Sequence, residues 1–331
     1  MRNRIALAVN FALGAGLFGW ALHGFGGPAL VLLRTQPSLP FFAGFVAVTA
    51  AAIATLVWRW HFVLSGSCRS IGFAALLLTR SAAHAVAVLV PSGKLGGDPL
   101  RAWLVTRGGV APADAIASVA VDRTLEMAST APFSVLFAAL LLQQGIAEVE
   151  RALFALTVGA IALGLGIAIA ARRLRRGAGI VTALVRTMRL DRLRIVEDQQ
   201  SLLLASETAT ARLVDQSALM RWAFLAGLAT NVLVVLEFAL LFAAFDLPTR
   251  PIALVAAIFA TGAAHMLPVP AGLGVLEGGQ MWLLGMLGYP PHVGLAAAFA
   301  VRFRDLLWML PGLLYLLVRS AGRLRRPLRP A

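Results

Sequence analysis

Charged residues and cysteine are the two components that this sequence has least of. Of its 331 residues, 13% are charged and 60% are apolar, and the mean hydropathy is +0.84. A soluble domain contains about 25% charged residues, so the composition excludes a surface that faces water on all sides. Cys68 is the single cysteine, which excludes an intrachain disulfide, a thiolate metal cluster and a redox pair.

Several enzyme motifs are also absent from the sequence. It contains no Gly-x-Ser-x-Gly, no His-Glu-x-x-His, no Walker A motif and no paired Asp-rich motif. With one cysteine and five scattered histidines, a metal site is not expected. The sequence therefore predicts a protein without a cofactor, and it favours a role other than catalysis.

Long apolar runs are the most prominent feature that is present. About 20 residues suffice to cross roughly 30 Å of hydrocarbon, and the runs that qualify lie at about 5–24, 39–57, 115–143, 151–171, 220–244 and 293–318. The first run lacks a small-x-small cleavage site, so we expect an uncleaved span. Two more apolar stretches, 71–106 and 251–289, are interrupted by Pro and Gly. We predict an all-α integral membrane protein, with residues 1–331 forming a single polytopic domain of about six full spans and two re-entrant hairpins.

Basic residues outnumber acidic residues by 29 to 15. They cluster at the ends of spans and in short connections, which fits contact with anionic lipid rather than binding of nucleic acid. Cytoplasmic connections are enriched in Arg and Lys. Four basic groups therefore predict cytoplasmic positions for both termini and for two connections: Arg2 with Arg4, Arg59 with Arg69, Arg172 to Arg176, and the tail 319–331.

An Arg-rich segment, 172–219, separates two of the predicted spans. Its apolar residues are interspersed among the arginines, which predicts a cytoplasmic amphipathic helix on the membrane surface. A solvated helix that only connects two spans explains the same pattern equally well.

The two interrupted stretches are predicted to enter the membrane from opposite faces. Given the cytoplasmic positions above, 71–106 must leave and re-enter on the cytoplasmic side, and 251–289 on the outer side. Residues 91–98 and 270–277 also match, because both contain a proline, a small residue, a glycine and, after four further residues, an acid. Inverted repeats with broken helices recur in transporters, and we predict such a repeat here.

Glycines and cations are adjacent at the first interruption. Gly93, Gly96 and Gly97 allow backbone amides to approach a ligand, and amides at a helix start favour an anion. Lys94 and Arg101 could then hold a phosphate group. Alternatively, the glycines only permit close helix packing. The candidate binding residues at the two interruptions are Gly93, Lys94, Gly96, Gly97, Asp98, Arg101, Gly272, Gly274 and Glu277.

Three ionisable residues lie within the apolar run that follows. Asp122 and Glu126 share one helix face, and Arg123 points about a quarter turn away. Ionisable groups inside a membrane are costly and usually face a cavity or one another, so all three are candidate substrate-binding residues. Alternatively, they form an ion network with Arg80 or Arg101 that only stabilises the bundle.

Further ionisable residues in apolar segments have less specific interpretations. Glu237 and Glu277 would be proton carriers if transport were coupled to protons. His84 and His265 are interpreted as histidines that serve helix packing. Three charged residues at the start of the last span are interpreted as an interfacial or structural group: Arg302, Arg304 and Asp305.

Together, these motifs resemble those of the lysylphosphatidylglycerol synthase transmembrane-region family. Residues 89–101 are similar to its first signature, 117–126 to the helix that follows, and 270–278 to its late Gly-rich element. The resemblance covers about residues 5–320 and implies a lipid-handling protein of the bacterial inner membrane. Bifunctional members add a C-terminal cytosolic aminoacyltransferase, which we do not expect here because the chain ends soon after the last span. A stand-alone subgroup is associated with hopanoid biosynthesis, and 122–126 is similar to its pattern.

The resemblance and the intramembrane charges favour a lipid translocase that binds membrane lipids, either an anionic phospholipid or a hopanoid-like lipid. In this interpretation Lys94, Arg101 and Arg123 receive a polar or anionic head group in a cavity near the midplane. Two alternatives stay open: a non-catalytic partner that recruits biosynthetic enzymes through the Arg-rich segment, and a transferase with Asp122 and Glu126 as acid and base. The sequence leaves the oligomeric state open.

Overall fold

The structure, a computed structural model, is entirely helical in its regular elements. It describes residues 2–34, 38–67, 71–90, 96–143, 147–176, 179, 199–267 and 269–324. This part of the chain forms eleven α-helices and no strand, which confirms the prediction of an all-α protein. The helices are α1 (Arg2–Arg34), α2 (Leu39–Ser65), α3 (Phe73–Leu89), α4 (Gly97–Arg107), α5 (Pro112–Leu142), α6 (Ala147–Arg175), α7 (Gln200–Asp215), α8 (Ser217–Ala244), α9 (Pro251–Met266), α10 (Val275–Met286) and α11 (Pro291–Leu324).

Five helices in the described ranges are long and apolar enough to cross a bilayer. These candidate spans are Phe11–Arg34, Leu39–Ser65, Pro112–Leu142, Thr157–Arg175 and Ser217–Ala244. Five such helices are typical of a multi-pass membrane protein. The sixth predicted span, 293–318, lies within α11, which has three charged residues near its middle, so the total number of spans stays a prediction.

The first helix is longer than the sequence predicts. The apolar run suggests a span that ends near residue 24, whereas α1 continues through Pro28 to Arg34. Proline is tolerated inside membrane helices because neighbouring helices and local adjustments satisfy the backbone groups that it frees. Similarly, α11 continues to Leu324, so the predicted tail 319–331 begins as helix, and residues 325–331 lie outside the described residues.

Each interrupted stretch forms a pair of short helices. α9 and α10 pack antiparallel, because Gly279 lies beside Ala260 while Gly272 lies beside Ala264. The side chain of Gln280 strengthens this pair by donating from Nε2 to the carbonyl of Ala257 at 2.8 Å. In the first pair, the first residue of α4, Gly97, lies against Ala83 and Ala87 of α3. None of these four helices reaches the ~20 residues that a full span needs. The entry of the two pairs from opposite faces of the membrane stays a prediction.

The interruption between α9 and α10 has an irregular backbone. A short 3-10 turn, Pro270–Gly272, joins the two helices, and Ala271 has a φ of 52°. Gly274 has a φ of 77° and lies so close to the backbone of Gly14 in α1 that a Cβ atom would collide with it. Only glycine satisfies both demands. The corresponding residues of the first interruption, 91–95, lie outside the described part of the chain, so the predictions for Gly93 and Lys94 remain untested.

The chain divides into two compact units. Unit 1 comprises Met1–Thr49, Leu77–Leu100 and Val235–Ala331, and unit 2 comprises Ala50–Leu76 and Arg101–Val234. The buried apolar cluster in unit 1 involves α3 and α11, with Ala85, Val88 and Met309 as its members. The cluster in unit 2 involves α2, α5, α7 and α8, and it consists of Val63, Ala117, Val121, Ala209, Leu213 and Ala223.

The predicted surface segment 172–219 is only partly covered by the structure. Residues 180–198 lie outside the described residues. The rest includes α7, which packs on the core of unit 2 and forms an ion pair between Arg212 and Asp114 of α5. The last three residues of the segment already belong to α8.

The order of helices repeats along the chain. Helices α2 to α5 and helices α8 to α11 each follow the pattern of a long helix, two short helices and a second long helix. The second long helix begins at a proline in both copies and contains another proline at the same spacing: Pro112 and Pro132 in α5, Pro291 and Pro311 in α11. The alignment of 91–98 with 270–277 thus continues without a gap, and it pairs two further charged positions: Arg123 with Arg302, and Glu126 with Asp305.

Replacing Gly312 by alanine should destabilise unit 1. A Cβ atom at this position of α11 would collide with the backbone of Ser81 and Ala82 in α3, and overpacking of a tight contact costs about 1–3 kcal/mol. Thermal unfolding in detergent should show a lower midpoint for Gly312→Ala. The matched control is Gly159→Ala in α6, where no atom lies within 4 Å of the added carbon. Equal midpoints for the two variants would refute this close contact.

Candidate functional site

A buried ion-pair cluster in unit 2 is centred on Arg59. The side chain of Arg59, in α2, is 1% exposed. Its Nε donates to Oδ1 of Asp122 at 2.7 Å, and its Nη2 donates to Oε2 of Glu126 at 2.9 Å. Both carboxylates belong to α5. An ion pair withdrawn from water is tolerated only when its geometry is good and its remaining polar atoms are satisfied, so these contacts define how α2 packs on α5.

Arg101 of α4 completes the inner part of this cluster. Its Nη2 donates to Oδ2 of Asp122 at 2.6 Å, so that each oxygen of this carboxylate accepts from a different guanidinium group. The guanidinium carbon of Arg101 also lies 4.2 Å from the ring centroid of Trp60, a distance at which a cation–π interaction is favourable. Trp60 is fully buried, which holds the arginine in a fixed orientation.

The outer edge of the cluster is partly exposed. Arg123 donates from Nη1 to Oε1 of Glu126 at 3.1 Å, and the two side chains are 21% and 33% exposed. Among the five residues of the unit 2 cluster there are three arginines and two carboxylates: Arg59, Arg101, Asp122, Arg123 and Glu126. The partly exposed side of these contacts is formed by one arginine and one glutamate.

Unit 1 contains a second buried cluster, centred on Glu237 of α8. This side chain is inaccessible to solvent. Its Oε2 accepts from Nε of Arg304 at 2.7 Å, and its Oε1 accepts from Thr49 Oγ1 at 2.7 Å and Trp308 Nε1 at 3.0 Å. Three donors thus satisfy the carboxylate, and two of them come from α11.

The network continues from Arg304 towards two histidines. Nη1 of Arg304 donates to Oδ1 of Asp305 at 3.1 Å. The other oxygen of Asp305 lies 3.2 Å from Nε2 of His265, which belongs to α9. The ring of His84, in α3, lies against Trp308 with 5.5 Å between the centroids. α11 therefore contacts α3, α8 and α9 through polar side chains.

Arg302, also on α11, holds the interruption between α9 and α10. It forms a two-pronged pair with Glu277, with distances of 2.5 and 3.0 Å, and it donates to the carbonyl oxygen of Ala271 at 3.0 Å. Glu277 also accepts from the backbone amide of Gly274 at 2.8 Å. These bonds satisfy backbone groups that the irregular turn would otherwise leave unpaired.

Comparison with known families gives one match. The family model described as the lysylphosphatidylglycerol synthase TM region matches residues 6–312. The chain belongs to this family. The match includes both ion-pair clusters and both interrupted stretches, and it confirms the family resemblance, whereas the hopanoid-associated subgroup stays a prediction. No curated protein matches the chain.

In this member of the lysylphosphatidylglycerol synthase TM region family, most of the charged residues that the sequence predicts to bind substrate lie in one cluster of ion pairs. The structure brings Arg101, Asp122, Arg123 and Glu126 together. Arg80, the other arginine considered as a partner, belongs to unit 1. The structure does not test a role for these residues in binding, so that role stays a prediction.

One glycine of the first interruption, Gly97, has a packing role. Gly97 begins α4 and is buried against Ala83 and Ala87 of α3, where a Cβ atom would collide. Gly96 directly precedes it, and Asp98 lies in the first turn of α4. The position of Gly97 favours the interpretation that this glycine permits close packing. In the second interruption, the amide of Gly274 is already bound by a side chain of the protein itself.

Arg59 is the main residue that the sequence argument misplaces. Its positive charge predicts a cytoplasmic connection, whereas Arg59 lies inside α2 and is buried. A usable signal was present, because the apolar run continues beyond it to Leu64. Within the described residues, no group of three or more His, Cys, Asp or Glu is arranged to hold a metal ion.

Replacing Arg59 by methionine should destabilise the protein strongly. The substitution leaves two carboxylates without one of their partners, and breaking a buried ion pair typically costs about 3–5 kcal/mol. The matched control is Arg212→Met, which removes the ion pair between Arg212 and Asp114. The side chain of Arg212 is 49% exposed, and exposed ion pairs contribute about 0–1 kcal/mol. Equilibrium unfolding in a mixed-detergent titration measures both. A loss of stability no greater for Arg59→Met than for Arg212→Met would contradict the buried cluster.

Proposed function

We propose that this protein is a lipid translocase, a flippase-like transport protein that receives a polar or anionic lipid head group in the membrane interior. Its family and its multi-pass architecture support a lipid-related membrane role. The observation that supports the finer proposal is the arginine-rich cluster of unit 2, in which Arg123 and Glu126 form a partly exposed edge beside the buried pair of Arg59 and Asp122.

The cost of ionisable groups in hydrocarbon supports this proposal. A charged side chain near the centre of a membrane helix is unfavourable by several kcal/mol unless it is paired or faces a polar cavity. Asp122 is paired with Arg59 and Arg101. Arg123 lies at the exposed edge, and its planar guanidinium group suits bidentate binding of a phosphate. This chemistry favours an anionic phospholipid over a hopanoid-like lipid.

The proposed role is transport rather than group transfer. An acid or base catalyst must exchange a proton with its substrate. Asp122 has no solvent-accessible side-chain surface, and both of its oxygen atoms accept from arginine. This arrangement suits an electrostatic role better than proton transfer. We further propose the bacterial inner membrane as the location, with both termini in the cytoplasm.

Replacing Arg123 by glutamine should slow the movement of anionic lipid. A hydrogen bond to a charged group contributes about 1.5–3 kcal/mol, so we expect a decrease of roughly tenfold or more in the translocation rate. The assay uses proteoliposomes that contain fluorescent phosphatidylglycerol, phosphatidylcholine or a hopanoid-like lipid, and dithionite then reports the exchange between leaflets. The matched control is Arg107→Gln in α4, an exposed arginine that lies beside Trp103.

The outcomes of this assay separate the alternatives. Movement of phosphatidylglycerol that is lost in Arg123→Gln and kept in Arg107→Gln supports the proposal. Movement that is equal in both variants rejects the unit 2 cluster as the head-group site. If folded wild-type protein moves no lipid, the translocase proposal fails, and recruitment of biosynthetic enzymes becomes the better hypothesis. Arg101 is less suitable for this test, because its removal would also unpair the buried Asp122.

A further inference from the structure

The buried carboxylates of unit 1 outnumber the arginines that pair with them. In the described part of this unit, three buried carboxylates contact two arginines: Glu237, Glu277 and Asp305 contact Arg302 and Arg304. This group has a net charge of −1 when its histidines are neutral. A single cation is therefore missing from the buried network of unit 1.

The missing charge is located at Asp305. Glu237 accepts three hydrogen bonds, and Glu277 is paired on both oxygens by Arg302. Asp305, in contrast, shares Arg304 with Glu237 and faces His265 with its second oxygen at 3.2 Å. A proton on His265 would convert this contact into an ion pair and would neutralise the network.

His265 is well placed to take up this proton. It lies in the last turn of α9, where the free carbonyl groups of a helix end favour a cation. The side chain is 7% exposed, and within the described residues its Nε2 has no hydrogen-bond partner that competes with Asp305. Histidine is also the side chain whose charge ordinarily changes between pH 5 and 8.

Other ionisable groups surround this pair and must be considered with it. Arg304 is adjacent on α11, and Glu237 approaches from α8. His84 of α3 lies within electrostatic range of Asp305. Arg302 lies one helical turn away on α11 and is paired with Glu277 of α10. Of these groups, His84 is the second residue able to change its charge near neutral pH, so it needs its own variant.

We propose that His265 and Asp305 form a proton-binding site that couples lipid movement by this protein to proton movement. The inference rests on the translocase function proposed above. His265 Nε2 binds a proton from one side of the membrane and releases it to the other, and no other bond changes. In the protonated state an ion pair connects the end of α9 to α11. In the neutral state this connection is weakened, whereas the contacts of Arg302 with Glu277 remain.

Coupling can be measured in proteoliposomes that contain the pH-sensitive dye pyranine. A gradient of one pH unit corresponds to about 1.4 kcal/mol per proton, so it should shift the distribution of phosphatidylglycerol between leaflets by up to about tenfold. Wild-type protein should also dissipate the gradient as the lipid moves. Both effects should disappear in His265→Gln and in Asp305→Asn. The control variant, His292→Gln at the start of α11, should behave as wild type.

The result also distinguishes failure of the inference from failure of the proposed function. Lipid movement by wild-type protein that ignores the gradient overturns proton coupling and leaves the translocase intact. If coupling is lost in His84→Gln but kept in His265→Gln, then His84 binds the proton and the assignment to His265 is wrong. If no lipid moves, NMR of ¹⁵N-histidine in detergent still tests the proton site. The His265 signal is identified by its loss in His265→Gln. If this signal stays unchanged between pH 5 and 9, the proton site is refuted.

Discussion

The cost of burying a charge among apolar helices determines most of this structure. Membrane helices do not associate through the hydrophobic effect, because lipid chains are as apolar as leucine. Polar contacts therefore contribute much of the specificity of packing. Arg59 selects α5 as the neighbour of α2, and Glu237 selects α11 as the neighbour of α8. Each buried carboxylate of these clusters faces a cation, as the low dielectric demands.

Each copy of the repeat has an ion pair between its two long helices, and the order of the charges along the chain is reversed. In the first copy, the long helix before the short pair contains the cation, Arg59, and the later long helix contains the acid, Asp122. In the second copy, Glu237 precedes the short pair and Arg304 follows it. The exchange preserves the attraction within each copy.

The sequence predicts the helical class, the pairs of short helices and the position of Asp122 and Glu126 on one helix face, because these follow from local composition and helical spacing. It does not predict the partners. A charge near the end of an apolar run is interpreted as a boundary, and hydropathy cannot distinguish an arginine that extends to the interface from one that faces another helix. The environment of Arg59 depends on the rotation of α2 against α5, which long-range packing decides.

α11 connects the polar features of unit 1 through three charged residues in little more than one helical turn. Arg302 holds the irregular turn between α9 and α10, Arg304 neutralises Glu237, and Asp305 faces His265. The arginine contacts keep their charge at physiological pH, whereas the histidine contact is able to change. A change of protonation would therefore alter one end of α9 while the turn itself stays attached. Such a combination of permanent and variable contacts is what a helix pair needs if it moves without unfolding.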